Sequence, residues 1–178
     1  MNARLASHSA GKPPARNNVL AARGVLNTDR PSAEREADTG LFLIGGPSKH
    51  HGWDTHGLLA QIDAILAATP GMRWTLTTSR RTPAETEAAL LTLRERGVDV
   101  RPVADTPPGW AMAQVARSAQ AWVTEDSVSM VYESLTAGAA TGLLAVPRLG
   151  ETRITAGVAQ LQQEGFVTPF AGWQREGR

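Results

Sequence analysis

The sequence predicts an α/β fold: a Rossmann-like, mostly parallel sheet of about five strands with helices on both faces. Three observations support this class. From residue 41 onward, short apolar runs alternate with amphipathic runs of helical length. Strands that alternate with helices in this way are joined by right-handed crossovers and pair in parallel. A chain of 178 residues is also long enough to bury such a core within one domain.

The first half of the pattern supplies three strands. Residues 41–44 (LFLI) predict a buried strand, which is followed by a Gly-Gly-Pro turn and a helix over about 55–68. Residues 74–78 predict the second strand and residues 98–103 the third. Because the third run is less apolar than the others, we expect it near an edge of the sheet.

Three signals mark the start of the helix between the second and third strands. Thr82 is a suitable N-cap, Pro83 occupies the first helical position, and Glu85 completes a capping box. We expect this helix to run to about Arg96 and to end at Gly97, since glycine accepts the left-handed conformation that closes many helices.

The carboxyl-terminal part repeats the alternation of strands and helices. It predicts a short helix from about 106, with Met112, Val115 and Ala119 facing inward, and then a strand over 120–124. The next helix has its apolar stripe at Val128, Val131 and Leu135. A strand over 142–146 and a helix over 153–164 follow. As domains we predict a disordered or linker-like lead-in over 1–40, the Rossmann-like domain over 41–173 and a short tail over 174–178.

Composition and charge argue against several classes of function. Residues 1–30 carry five Arg or Lys and one acid, so the rest of the chain holds 13 bases and 16 acids. A globular part with a net charge of −3 lacks the excess of basic residues that is typical of nucleic-acid-binding domains. No apolar run is long enough to span a membrane, and the basic start lacks the apolar core of a secretory signal. The lack of cysteine fits a reducing compartment, and we expect a cytoplasmic location.

Polar segments follow three of the predicted strands. The first segment covers residues 45–49, the second residues 79–82 and the third residues 124–130. In an open parallel sheet the carboxyl ends of the strands share one rim, and ligands bind there at the switch in strand order. We therefore expect these segments to form one binding site. The candidate binding residues are Gly45, Gly46, Ser48, Lys49, Ser79, Arg80, Arg81, Thr82, Glu125, Asp126, Ser127, Ser129 and Glu133.

The first two segments are suited to an anion. Gly45 and Gly46 let the backbone approach a phosphate and Lys49 adds a point charge, although a tight turn would need the same glycines. Arg80 and Arg81 stand at a helix entrance, where cations oppose the helix dipole unless an anion is bound. The alternative is that both arginines point into solvent.

The third segment, TEDSVSM (124–130), combines helix capping with spare polar groups. Asp126 or Ser127 is a good N-cap, which leaves Ser129 and Glu133 together on one helical face. At about 1.5 Å of rise per residue, Glu133 lies roughly 9 Å beyond Ser127. This is close to the reach from a diphosphate to the ribose of its nucleoside. We therefore predict that the helix start binds the phosphates and Glu133 the ribose.

Two acids in the third segment complicate this prediction. Glu125 complements the helix dipole, but together with Asp126 it would repel a phosphate unless both turn away or share a cation.

A cluster of histidines and one acid comes directly after the first segment: His50, His51, Asp54 and His56. Its spacing matches no metal-binding motif, so we predict no metal, and one of these histidines as an acid or base is the alternative.

Several stretches resemble a known family. LIGGPSKHHGWD (43–54), TTSRRTP (77–83) and VTEDSVSMVYES (123–134) look like the three signature blocks of the mitochondrial fission ELM-type proteins of bacteria and plants. NNVLAARGVLN (17–27) and RITAGVAQLQQEGFVTPFAGW (153–173) are similar to the segments on either side of these blocks. The resemblance covers most of the chain.

The resemblance implies a B-fold glycosyltransferase architecture, of which this chain looks like the carboxyl-terminal half. Bacterial members are often described as nucleoside-diphosphate-sugar epimerase-like. In such folds a Ser or Gly turn precedes a ribose-binding Glu by the spacing that separates Ser127 from Glu133. The implied ligand is a nucleoside diphosphate or a nucleotide-sugar, with no cofactor and no assigned catalytic residue. The sequence departs from the family pattern at residues 134–140, where an acidic and alanine-rich helix end followed by Gly-Lys-Pro is expected.

Two other functions remain open at this point. By analogy with the plant member, the chain is a non-catalytic adaptor that recruits a dynamin-like or other protein partner. Alternatively it is a truncated product that folds without activity, because relatives are longer and the amino-terminal half is expected to be missing. Glycosyltransferase-like activity is expected only where such a half completes the fold.

Overall fold

The computed structural model of the protein describes residues 4–7, 19–22, 35–150 and 152–176. Its main body is a six-stranded sheet in which every pair of neighbouring strands is parallel. Two short strands, β1 (Arg4–Ser7) and β2 (Val19–Ala22), pair in parallel in a separate sheet. The predicted lead-in over 1–40 falls largely outside the described residues.

Helices join the six strands in the predicted alternation. The elements are β3 (Glu36–Leu43), α1 (Thr55–Ala68), β4 (Arg73–Thr77), α2 (Ala84–Leu91) with a 3₁₀ extension (Thr92–Arg96), β5 (Asp99–Arg101), a second 3₁₀ helix (Val103–Asp105), α3 (Trp110–Arg117), β6 (Ser118–Thr124), α4 (Val128–Thr136), β7 (Ala140–Leu144), α5 (Arg153–Gln163), β8 (Thr168–Pro169) and α6 (Phe170–Glu176). The Rossmann-like α/β class is therefore confirmed, with six strands where about five were predicted. The sequence pattern misses β8 because its two residues are too few to form an apolar run.

The strands are ordered β5-β4-β3-β6-β7-β8. This is the doubly wound arrangement, in which the chain starts at the centre, winds to one edge and then returns to wind to the other. The direction of winding switches between β3 and β6, so the carboxyl ends of these two strands flank the crevice where such sheets bind ligands. The edge position predicted for the third strand of this sheet, β5, is correct.

Two cores cover the opposite faces of the sheet. Phe42 and Ile44 pack on the side of α1 and α2, and Leu41 and Leu43 pack on the side of α3, α4 and α5. All four side chains are fully buried. A central strand that is buried on both faces has no polar alternation, which explains the continuous run LFLI.

Some element ends differ from the prediction. β3 begins at Glu36 rather than at 41, because its polar first residues pair with β6 without supplying an apolar signal. The N-cap position of α2 is Pro83 and has no side-chain cap, so the predicted capping box is wrong. Thr82 Oγ1 instead donates to the carbonyl of Gly45 at 2.6 Å. Gly97, with φ of 84°, ends the 3₁₀ extension as predicted.

Asp54 caps α1, and its replacement is expected to destabilise the protein. Its Oδ1 accepts a hydrogen bond from the amide of Gly57 at 3.0 Å. Asp54→Ala should lower the free energy of unfolding by about 1 kcal/mol, because a first-turn amide loses its acceptor; urea denaturation measures this. Asp63→Ala on the same helix removes only an exposed ion pair with Arg96 and should change stability by less than about 0.5 kcal/mol. Equal losses in the two variants would contradict the capping role.

Candidate functional site

Four loops meet at the carboxyl edge of the sheet, beside the switch between β3 and β6. The loops after β3, β4 and β6 are the three polar segments singled out in the sequence, and the fourth loop follows β7. The amide of Gly45 donates to Thr124 Oγ1 at 2.8 Å, and a backbone bridge joins His51 to Arg148. These contacts join loops that are distant in the sequence into one rim.

Asp126 connects three of these loops. Its side chain has no solvent exposure. Its Oδ2 accepts from the amide of Gly46 at 3.0 Å, from Arg81 Nη2 at 2.8 Å and from Ser127 Oγ at 3.2 Å. Its Oδ1 is buried and has no hydrogen-bond partner among the described residues. The carboxylate that the sequence offered as a ligand group therefore holds the rim together.

Arg81, in the loop after β4, bonds to the loops after β3 and β6. Its Nη1 donates to the carbonyls of Gly46 at 2.7 Å and Pro47 at 3.3 Å. Its Nη2 donates to Asp126 and, at 3.1 Å, to Ser127 Oγ. The anion that faces this arginine is a carboxylate of the protein itself, which explains how a cation is tolerated near the entrance of α2.

Close packing of the loops requires the glycine pair. A Cβ on Gly45 would lie 2.2 Å from Asp126 Oδ2, and one on Gly46 would lie 2.1 Å from the carbonyl oxygen of Arg81. The amides of the two glycines donate to Thr124 and Asp126 respectively. The glycines thus bring two loops together, and their amides are already bonded within the protein.

Glu125 forms an ion pair with Arg148, a residue that the sequence analysis did not single out. Arg148 Nε and Nη2 lie 2.9 and 2.8 Å from Glu125 Oε2, and the Glu125 side chain is only 9% exposed. The available signal for Arg148 was a lone basic residue after a strand, which by itself indicates nothing. Because each acid of the third segment has an arginine partner, the repulsion that they would exert on a phosphate is offset.

Ser48 and Ser79 serve the turns of their own loops. Ser48 Oγ accepts from the amides of His50 at 3.2 Å and His51 at 3.1 Å. The amide of Ser79 donates to Thr82 Oγ1 at 2.9 Å. Both serines therefore shape the rim from within.

Two histidines lie in the first loop: His51 is buried and His50 is partly buried. Burial lowers the pKa of His51, partly offset by the nearby carboxylates of Asp126 and Glu125, so the neutral imidazole is favoured. His50 Nε2 is buried without a hydrogen-bond partner within the described ranges. In the part of the chain that the structure describes, no group of three or more His, Cys, Asp or Glu side chains is arranged to hold a metal ion.

The remaining candidate residues face solvent or lie along α4. Lys49 and Arg80 are exposed, and neither forms an ion pair with another described residue. Ser129 is exposed on the first turn of α4, and Glu133 is partly buried one turn further along. Ser127 occupies the N-cap position of α4, but no side chain caps the helix. The first-turn amides of α4 therefore lack a side-chain acceptor.

The strand order and this rim define a protein of the Rossmann-like α/β class with a polar site at the switch in strand order. The family model described as Mitochondrial fission ELM1 matches residues 6–177. The chain therefore belongs to this family, which confirms the resemblance noted in the sequence. No helix within the described ranges is long and apolar enough to cross a membrane.

Solved structures that are similar to the chain include the following two. One is titled "E. coli heptosyltransferase WaaC with ADP", with 12% identity and a TM-score of 0.45 over 72% of this chain and 44% of that one. The other is the cypemycin decarboxylase CypD, with 16% identity and a TM-score of 0.47 over 78% of this chain and 85% of that one. The chain thus spans less than half the length of the heptosyltransferase. No curated protein matches the chain.

Proposed function

We propose that the rim binds a nucleoside diphosphate or a nucleotide-sugar, and that the chain is the nucleotide-binding half of a B-fold, glycosyltransferase-like protein. One observation carries the proposal: α4 starts at the switch in strand order without a side-chain cap and has Glu133 on its second turn. Amides at the start of a helix bind phosphate through their N–H groups and the helix dipole. A carboxylate roughly 9 Å further along the helix accepts from ribose hydroxyls.

The charge of the rim supports an anionic ligand. The two acids of the third loop are each bonded to an arginine, so neither presents an unbalanced negative charge. The exposed cations Lys49 and Arg80 form no ion pair with another described residue, so their charges would attract a diphosphate. In this proposal Ser127 and Ser129 lie beside the phosphates, Arg81 acts by positioning Asp126 and Ser127, and Glu133 holds the ribose.

Calorimetric titration with uridine, adenosine and guanosine diphosphates tests the proposal. At least one of them should bind, and Glu133→Ala should weaken that binding about tenfold, because ribose hydroxyls lose a charged acceptor. Glu95→Ala, an exposed acid on the 3₁₀ extension of α2, is the matched control and should leave the affinity unchanged. No heat and no rise in melting temperature at millimolar ligand, with a folded sample, would reject nucleotide binding.

Turnover is a further part of this proposal. The B-fold resemblance implies a second Rossmann-like half that supplies the sugar acceptor, so we propose that transfer requires such a half. We assign no catalytic residue to this chain. Adding a separately expressed partner half and measuring hydrolysis or transfer of a nucleotide-sugar tests this part independently of binding.

A further inference from the structure

Arg148 is a basic residue of the rim that has one side of its guanidinium unused. Its Nε and Nη2 both approach a single oxygen of Glu125, and Nη1 makes no hydrogen bond within the described residues. Its side chain is 40% exposed. Arg81 differs, because both of its terminal nitrogens already donate to the protein. Of these two paired arginines, Arg148 therefore keeps more donors for a ligand.

The position of Arg148 is fixed on two sides. Glu125 is buried directly after β6, and its amide donates to the carbonyl of Leu144 on β7 at 3.1 Å. The neighbouring Leu149 donates its amide to the carbonyl of His50 at 2.9 Å. A guanidinium that is held by a buried carboxylate on an anchored loop loses little conformational entropy when it binds an anion.

Open space lies next to Arg148. The residue forms part of the wall of an open cavity of about 450 Å³, whose other lining residues include Thr155 and Gln160 of α5 and the acid Glu164 at the end of that helix. This volume lies within the range of roughly 300–1,000 Å³ that small-molecule pockets occupy. Because β7 neighbours β6 in the sheet, Arg148 lies on the same rim as the start of α4.

We propose that Arg148 is an anion-binding residue of this rim, which donates from Nη1 to a phosphate or diphosphate group, and that Glu125 is its positioning residue. The inference rests on the proposed function where it assigns the phosphates to a nucleotide. The anion chemistry itself holds for any ligand that carries a pyrophosphate group. Arg148 thereby adds a cation from the fourth loop to the anion site.

Titration of the full chain with inorganic pyrophosphate and with nucleoside diphosphates tests the inference. Wild-type protein should bind pyrophosphate, and Arg148→Met should weaken the binding about tenfold, since a charge-assisted hydrogen bond is lost. Glu125→Gln keeps the cation but loosens its orientation, so the loss should be smaller, about threefold. Arg101→Met, which breaks the exposed ion pair with Asp99 on β5, is the control and should bind as wild type does.

A second pair of variants covers the case in which Arg148→Met fails to fold because Glu125 is left buried and unpaired. Arg148→Lys keeps a charge beside Glu125 but loses the planar fork, and should also bind pyrophosphate more weakly. The double variant Glu125→Gln with Arg148→Gln removes both charges, so it folds without an unpaired buried charge and should bind like Arg148→Met. Circular dichroism and melting temperature establish folding for each variant.

The outcomes separate this inference from the proposed function. If pyrophosphate does not bind wild-type protein, or binds all Arg148 variants equally, the assignment of Arg148 is wrong. If pyrophosphate binds in an Arg148-dependent way but no nucleoside diphosphate binds at millimolar concentration, the assignment of Arg148 holds and the nucleotide proposal fails.

Discussion

Gly46→Ala is expected to lower the free energy of unfolding by about 3 kcal/mol, or to prevent folding. The new Cβ would lie 2.1 Å from the carbonyl oxygen of Arg81 and 2.3 Å from its carbonyl carbon. These atoms belong to the backbone, so no side-chain rotation relieves the overlap. Moving the loop apart would also break the hydrogen bond from Arg81 Nη1 to the carbonyl of Gly46.

Urea denaturation of Gly46→Ala beside Gly71→Ala measures this effect. Gly71 lies in the exposed turn between α1 and β4, and a Cβ there meets nothing within 4 Å. Gly71→Ala should therefore change stability by less than about 0.5 kcal/mol. If the two alanine variants are equally stable, the two loops are not packed as closely as the structure has them.

Asp126→Ala is expected to cost about 3 kcal/mol of stability. The substitution removes the acceptor of three hydrogen bonds and leaves Arg81 without its counter-charge, although the exposure of Arg81 lets water soften that loss. Asp126→Asn keeps the size and one acceptor oxygen, so its cost should be smaller. The amide of Gly46 and the hydroxyl of Ser127 would still find a partner in the asparagine.

A matched control and a double-mutant cycle make the Asp126 prediction specific. Asp99→Ala removes a carboxylate of an exposed ion pair with Arg101 and should cost less than about 0.5 kcal/mol in the same urea titration. Combining Arg81→Met with Asp126→Asn should reveal a coupling of more than about 1 kcal/mol, because the two side chains are in direct contact. Additive effects would contradict the role of this pair in joining the loops.

The residues of the rim divide into two groups with different roles. Gly45, Gly46, Arg81 and Asp126 bond or pack against one another and hold the loops together. The second group, Lys49, Arg80 and Ser129, is exposed and is available to a ligand. The rim therefore mixes residues that hold its loops together with exposed residues that we propose as ligand contacts, and substitution of the first group should affect stability first.

The sequence alone determined the fold class and the meeting of the three polar segments. Helix α1 spans the predicted 55–68, and the start of α4 follows the central strand β6 as expected. These features depend on hydrophobic periodicity and on strand–helix alternation, which are local properties of the chain. Parallel strands have their carboxyl ends on one edge, so the rim follows from the alternation itself.

Only the tertiary structure decided which polar atoms pair. Arg81 bonds to Asp126, Arg148 to Glu125, and Thr82 to the loop after β3 instead of capping its own helix. The partners in these three contacts are 45, 23 and 37 residues apart in the chain, respectively. Such contacts depend on strand order and on the path of each loop, and a local sequence pattern contains neither. A glycine or an arginine at the end of a strand can contact either a ligand or a neighbouring loop. Which of the two contacts forms depends on how the loops pack.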